Sequence, residues 1–534
     1  MKILNIRSVS IVAAMVIGLA ACEKQLELAP YNAFTDESVF TTPERVNLAI
    51  NGVYDAAQSG FYNGAIDRGY PFGAANVEQG DNRGEDVVNL QAFYQITYQS
   101  TYTPSSANNV NHYNSTYRLI NFANVAIEGI QKALDGGIIA QDVATRAIAE
   151  MKFLRALSHH ELLMHFARPY LDGNGENLGV NYRDFPVNSG AAVDAVRADA
   201  RPKVSFTYQR ILEDLDAAIA DLPEQQPTAS LRKIRAEKGA AITLKMRVLM
   251  HMGRFQEAKA EGDKLVPASV NPLSPTSVIS PIGGYALTAS PEDAFASNSV
   301  SSENIFTIKN DPLDNPNVNG ALPAMYGPAN LGGRGLVAIS PIIWNRSEWL
   351  ADDERRTTLY AMGSNAAGNQ SVMTTKYRDY VQRGSNNPIF RYAEVLLMLA
   401  ECEARLNNTA RALDLLNVVR NRSLANPATQ QYSAFANATD LLKAILLERR
   451  FEFAMEGKRW HDIHRLSNDP VAEVRIAGIP AKLPNGADGA AIYGIGVAVN
   501  PTWPAIPYSD YRFIWPIPVD EITQNPVIVQ NPQY

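Results

Sequence analysis

Cysteine is almost missing: the 534 residues include two, Cys22 and Cys402. No disulfide framework can be built from such a pair, so the fold has to rest on a buried apolar core. After the first 21 residues no apolar run reaches about 18 residues, the length a helix needs to cross a bilayer. No basic block occurs and the formal net charge is −7, which argues against nucleic acid as a partner. A glycine-rich phosphate loop ahead of a helix and a nucleophile elbow are both missing. Hydrophobic residues make up 46% of the chain, so disorder is not the default either.

What is present begins at the N-terminus. Lys2 and Arg7 precede an apolar stretch from Val9 to Ala21, which suits a signal-peptide core and is too short for a transmembrane helix. Leu19-Ala20-Ala21-Cys22 closes it as a lipobox, with small residues for the peptidase and a thiol that accepts diacylglycerol. Buried acyl CH₂ groups contribute about 0.8 kcal/mol each, so several chains anchor a soluble domain. We therefore expect a signal peptide over residues 1–21, lipidation at Cys22, and a tether over 22–42 ending at Thr42-Pro43. Loss of the two positive charges Lys2 and Arg7 takes the net charge from −7 to −9.

Thr42 can cap a helix that has Pro43 in its first turn, followed by Val46, Ile50 and Val53 at helical spacing. Residues 61–104 then lose periodicity and read as a long loop region. Helical patterning returns at Tyr113 to Leu134, Gln141 to Phe166 and Tyr208 to Leu222. Lys238 to His251 and Arg254 to Leu265, joined at Met252-Gly253, read as a tetratricopeptide-type hairpin, and so do 389–406 and 410–422. Another helix is expected from Leu441 to Glu456. Residues 267–388 and 478–534 read as loops with short strands, one at Asn304 to Lys309. The fold class is mainly α, with helical pairs supporting a loop-rich region that should carry most of the ligand-facing surface.

Several blocks resemble the SusD/RagB family of outer-membrane nutrient-binding lipoproteins. They include Ala147–Ala156, Tyr208–Leu215, Arg391–Met398, Leu447–Phe453, Gly457–Asp462, Trp515–Pro518 and the ending Gln530–Tyr534, and their order makes the match specific. The resemblance implies a single domain over 43–534, with an N-terminal part of about 43–230 and a C-terminal part of about 231–534. It also implies a cell-surface protein that captures glycan and passes it, as a hinged lid, to a SusC-like TonB-dependent barrel without cleaving it. The alternatives are a peptide-binding lid and a tetratricopeptide-like scaffold for another protein.

Arg391, Glu394, Met398, Glu401 and Arg405 share one helical stripe, read as a ladder of ion pairs with Glu448, Arg449 and Arg450 as partners. Trp460 and Trp515 are read as packing residues. His160-Glu161-Leu162-Leu163-Met164-His165 resembles a zinc-protease motif, but its second His comes five residues after the first. The extra residue turns that imidazole about 100° around the helix, so no metal site and no catalytic residues are expected. His461 and His464 lack an evident third ligand, Asp352-Asp353-Glu354 lacks the spacing of a Ca²⁺ loop, and Cys402 lies among apolar residues where a thiol is inert. No cofactor is expected. For a glycan, sugar faces should stack on loop aromatics while polar side chains hold hydroxyls. Tyr70, Tyr326 and Trp344 are the candidate platforms, with Asn82 and Arg83 as their polar partners.

Overall fold

The computed structural model describes residues 39–62, 66–295 and 300–534. The signal peptide, Cys22 and the tether up to residue 38 lie outside the described residues. Among those described, no helix is long and apolar enough to cross a membrane.

The frame is a run of helices: α1 (Pro43–Gln58), α2 (Ala74–Asn82), α3 (Ala107–Asp135), α4 (Gln141–Phe166), α5 (Val204–Asp221), α6 (Lys238–His251), α7 (Phe255–Leu265), α8 (Tyr392–Arg405), α9 (Thr409–Asn421), α10 (Ala438–Phe453) and α11 (Lys458–Leu466). Thr42 caps α1 by accepting the Arg45 N–H at 3.3 Å. In chain order α3 packs on α4, α4 on α5, α5 on α6, and the hairpins α6–α7 and α8–α9 are linked by α7 against α8. Helix α4 is buried on every side from Phe153 to Phe166, as expected of a helix surrounded by others. One apolar cluster extends from Val46 on α1 to Trp515 and Ile528 near the C-terminus.

The strands form antiparallel pairs. They are β1 (Phe61–Tyr62) with β2 (Ile66–Asp67), β3 (Val87–Asn89) with β5 (Val337–Ile339), β4 (Asn304–Ile308) with β8 (Asn387–Arg391), β6 (Tyr360–Ser364) with β7 (Gln370–Thr374), and β9 (Gly478–Ile479) with β10 (Ile506–Pro507). The β3–β5 ladder pairs Val87 with Ile339 and so ties the early loop region to the middle one. A second apolar cluster, with Val77, Tyr94, Met325, Tyr326, Trp349 and Tyr377, fills the loop-rich half.

Two expectations are corrected. Residues 389–391 belong to β8, and the helix starts at Tyr392. Within 61–104 lies α2, buried at all but one of its positions, along with β3. The Gly-rich composition there reflects close backbone approach. A Cβ on Gly80 would stand 2.3 Å from the Gly457 carbonyl oxygen, and Gly457 itself has φ +75°.

The stripe on β8 and α8 is a ladder of buried ion pairs. Arg391 bonds Glu456 (2.8 and 2.9 Å), Glu452 (3.0 Å) and Glu303. Glu394 accepts from Arg247 at 2.6 Å, and Glu401 from Arg465 and Arg405. The expected partners bond elsewhere: Glu448 to Arg355 and Arg420, Arg449 to Asp462, and Arg450 to Asp86. Position decides this, because Glu452 lies one turn beyond Glu448 on α10 and Glu456 lies in the turn that follows the helix.

Candidate functional site

Four of the five residues expected to meet ligand are inside the protein. Tyr326 is fully buried and its hydroxyl donates to Asp81 at 2.8 Å. Burial pushes the Asp81 carboxyl up to about 7, against the hydrogen bonds from Tyr326 and the Gly457 N–H. Tyr70 is buried, accepts from Gln79 and meets the His112 ring edge-on. Asn82 is buried and donates to the Glu78 carbonyl at 2.8 Å. The Arg83 guanidinium carbon sits 3.3 Å over the Trp460 ring, with N–H groups toward His165 and the Phe513 carbonyl. None of these four presents a face to a sugar in this structure. The hydroxyl of Tyr326 and the guanidinium of Arg83 bind groups far away in sequence, and those of Tyr70 and Asn82 bind near neighbours, which is how buried polar residues anchor loops.

Trp344 is half-buried. The Arg356 guanidinium covers its ring at 4.5 Å, and Trp349 and Tyr360 flank it at 5.4 and 5.5 Å. Beyond it, Arg346 and Glu348 edge a groove of about 530 Å³ floored by Tyr432, Phe435 and Leu447.

A different aromatic combines partial exposure with polar neighbours. Phe93, in the turn Ala92–Tyr94, has the Arg334 guanidinium 5.0 Å and the Arg68 guanidinium 5.6 Å from its ring centre. Phe93, Arg68 and Arg334 are all half-buried. Arg334 donates to Asn319 Oδ1 at 2.7 Å, and Arg383 donates to Asn317 Oδ1 at 3.1 Å. Backbone bonds hold these loops together: Leu90 N–H to Leu336 O at 2.8 Å, Arg334 N–H to Ala324 O at 2.8 Å, and Ala74 N–H to Gly320 O at 3.1 Å. The site is thus a half-buried ring with the guanidinium groups of Arg334 and Arg68 over it, on loops tied to the β3–β5 ladder. It can stack on a ligand face while donating hydrogen bonds at the rim. The expectation from sequence omitted Phe93 and Arg334. The run Gly332-Gly333-Arg334-Gly335, with φ +99° and +56° at Gly332 and Gly335, is the signal that marks a turn presenting Arg334.

The histidines have another arrangement. Glu161 Oε1 lies 3.2 Å from His165 Nε2 and 3.8 Å from His112 Nε2, and Glu161 Oε2 lies 3.3 Å from His461 Nε2. His112, Glu161 and His165 are close enough to surround a cation. The Arg83 N–H at 3.0 Å from His165 Nδ1 argues otherwise. It needs a lone pair there, so the proton lies on Nε2 and faces Glu161. A cation would have to displace that proton beside a buried guanidinium. Glu161 thus bonds His165, while both ring nitrogens of His112 lack a hydrogen-bond partner among the described residues, and burial holds the His112 imidazole down at about 4 and that of His165 well below its usual range. His160 packs against His251 and Tyr208 instead, with ring centres 5.0 and 6.2 Å away, so it does not join His165.

A family model described as "SusD family" matches residues 351–534, and one described as "Starch-binding associating with outer membrane" matches residues 24–250. The chain belongs to the SusD/RagB family. It is similar to the SusD-like protein P25 of Formosa agariphila, 21% identical over 512 residues that cover 86% of this chain and 90% of that protein. A SusD-like protein of Bacteroides ovatus is 23% identical over 504 residues, covering 87% of this chain and 83% of the relative. Among solved structures, a SusD superfamily protein from Bacteroides fragilis superimposes with a TM-score of 0.71 at 26% identity, covering 92% of this chain and 99% of the other. A laminarin-binding SusD-like protein superimposes with a TM-score of 0.65 at 20% identity, covering 92% and 100%. The SusD family is one of carbohydrate-binding proteins associated with the outer membrane.

The blocks that carry the SusD resemblance sit in the frame. Trp460 donates to the Met164 carbonyl at 2.8 Å, and Trp515 stacks on His165 at 4.3 Å. Asn531 ties the C-terminus down by donating to the carbonyls of Trp515 (2.6 Å) and Phe166 (2.9 Å). None of these SusD blocks includes Phe93, Arg334 or Arg383.

Proposed function

We propose that this protein is a cell-surface lipoprotein, anchored through Cys22 to the outer membrane, that captures glycan and passes it to a SusC-like TonB-dependent barrel as its hinged lid. It binds and does not cleave, and residues 43–534 act as one domain. The observation that carries this reading is the Phe93 platform, a half-buried ring with guanidinium groups 5.0 and 5.6 Å from its centre, on a scaffold of the SusD family. Support also comes from the starch-binding description of the matched family model and from the laminarin binding of a structural neighbour.

The test is affinity electrophoresis and calorimetry of the purified protein against polysaccharides, oligosaccharides and oligopeptides, with product analysis after long incubation. Saturable glycan binding without released fragments, weakened about tenfold or more by Phe93→Ala, is the expected result. Binding to peptides alone would move the ligand class, and fragment release would overturn the binding-only reading. Cys22→Ala should move the protein from the membrane fraction to the soluble one. Co-purification of the wild type with a barrel transporter tests the partner.

A further inference from the structure

We propose that the ligand of the Phe93 platform is an anionic glycan, one that carries a carboxylate or sulfate ester beside the sugar ring stacked on Phe93. This rests on the glycan-binding reading above and names the substrate class of the same site.

The argument is about unanswered charge. Many buried guanidinium groups of the frame pair with carboxylates, Arg155 with Asp214 at 2.6 Å, Arg355 with Asp353 at 2.7 Å and Arg465 with Glu401 at 2.6 Å, while Arg83 and Arg201 bond carbonyl oxygens. At the platform the pattern changes. Arg334 and Arg383 are met by the neutral amides of Asn319 and Asn317, and among the described residues neither has a carboxylate within ion-pair distance. The Glu78 carboxyl, on which Arg334 acts, is fully buried and bonded by the Tyr94 hydroxyl. Burial pushes this carboxyl well above its usual range, against the Tyr94 hydrogen bond and the charge of Arg334. Asp379, on the loop of Arg383, turns its oxygens to the backbone N–H groups of Gln382 and Gly384 at 3.0 and 2.9 Å.

Among the described residues, two half-buried cations without a carboxylate at ion-pair distance are thus held in a chain of negative net charge. Half-buried cations without counter-ions raise the local concentration of anions and are screened less than exposed ones. Asn317 and Asn319 are two residues apart, so their Cα atoms are separated by at most about 7 Å, and one loop therefore receives both guanidinium groups. The guanidinium fork matches carboxylate or sulfate oxygens in pairs, and such charge-assisted bonds are about twice as strong as those to a neutral hydroxyl. The Phe93 ring supplies the face on which the same sugar stacks.

The experiment is calorimetry of the full-length protein with polygalacturonate for the carboxylate, κ-carrageenan for the sulfate ester, and carboxyl-reduced polygalacturonate, amylose and laminarin as neutral probes. The expected result is binding of one anionic polymer about tenfold or more tighter than any neutral one, lost by a similar factor in Arg334→Gln and on raising NaCl from about 0.15 to about 1 M. Arg334→Lys, which keeps the charge and loses the fork, should bind between the two. Thermal melting of each variant shows whether it folds, and Arg383→Gln serves as the second variant. Neutral polymers binding as tightly as anionic ones would overturn this inference and leave glycan capture standing. Binding of no glycan of either class would overturn both. Anionic binding untouched by both Arg334→Gln and Arg383→Gln would overturn the assignment to this site.

Discussion

Replacing Arg391 with methionine tests whether the buried ladder holds the two halves of the molecule together. The guanidinium is 2% exposed and bonds Glu303, Glu452 and Glu456. Without it, Glu303 keeps Arg422 at 2.9 Å, Glu452 keeps Arg422 at 2.7 Å and Arg355 at 3.0 Å, and Glu456 keeps Lys376 at 2.6 Å. Removing one partner of a buried pair costs about 3–5 kcal/mol, and because every carboxylate retains a cation the lower end applies, about 3 kcal/mol. An unfolding entropy of about 2.1 cal/mol/K per residue gives about 1 kcal/mol/K over the roughly 500 folded residues, so Tm should fall by about 3 °C. Differential scanning calorimetry of wild type, Arg391→Met and Arg254→Met reads this directly. Arg254 pairs with Glu257 at the surface, with side chains 39% and 55% exposed, and its loss should cost under about 1 kcal/mol. An Arg391→Met protein melting at or above the wild-type temperature would refute the argument that this cation compensates its three carboxylates.

Acid should attack the same ladder. Burial raises the carboxyls of Glu394, Glu401 and Glu456, but Arg247 and Lys458 hold Glu394 down to about 2, Arg465 and Arg405 hold Glu401 below 4.5, and Arg391 and Lys376 do the same for Glu456. With folded values below the unfolded 4.5, their stabilisation is complete above that pH and is lost as the pH falls below it. The gap in Tm between wild type and Arg391→Met should therefore stay level from about pH 7 to about 5 and narrow below about 4.5, and a gap unchanged down to about pH 3 would contradict this. Gly457→Ala would place a Cβ 2.7 Å from Val77 Cα at φ +75°. It should destabilise by about 2 kcal/mol or more, readable in urea melts. Tyr326→Phe removes the donor to Asp81 and should cost about 1–3 kcal/mol of stability while leaving ligand affinity unchanged, because the ring is buried. A changed affinity with unchanged melting would return Tyr326 to the ligand surface.

Local pattern was enough wherever a segment's burial is set by its own period. Thr42-Pro43 capped α1 as read, α4 ran from Gln141 to Phe166 and α6 from Lys238 to His251 as expected, and the stripe from Arg391 to Arg405 was read as ion pairs. The shifted second histidine of the zinc-protease-like stretch was also legible, because i, i+5 on a helix is geometry that a sequence states outright. Segment 74–82 was not legible. Its polar residues look solvent-facing until Tyr326, Gly457 and Tyr94 arrive from other parts of the chain to satisfy Asp81 and Glu78.

By its sequence alone this protein was determined to be a helical-pair scaffold of SusD type, since helical period, caps and family blocks are properties of contiguous residues. Which aromatics face outward was decided only by tertiary structure. Tyr70 and Tyr326 went inside, where hydroxyl partners more than 200 residues away in the case of Tyr326 made burial possible. Phe93 stayed partly outside, edged by guanidinium groups from loops before and after it. Exposure of a loop side chain depends on what the rest of the chain brings against it, and no local pattern records that.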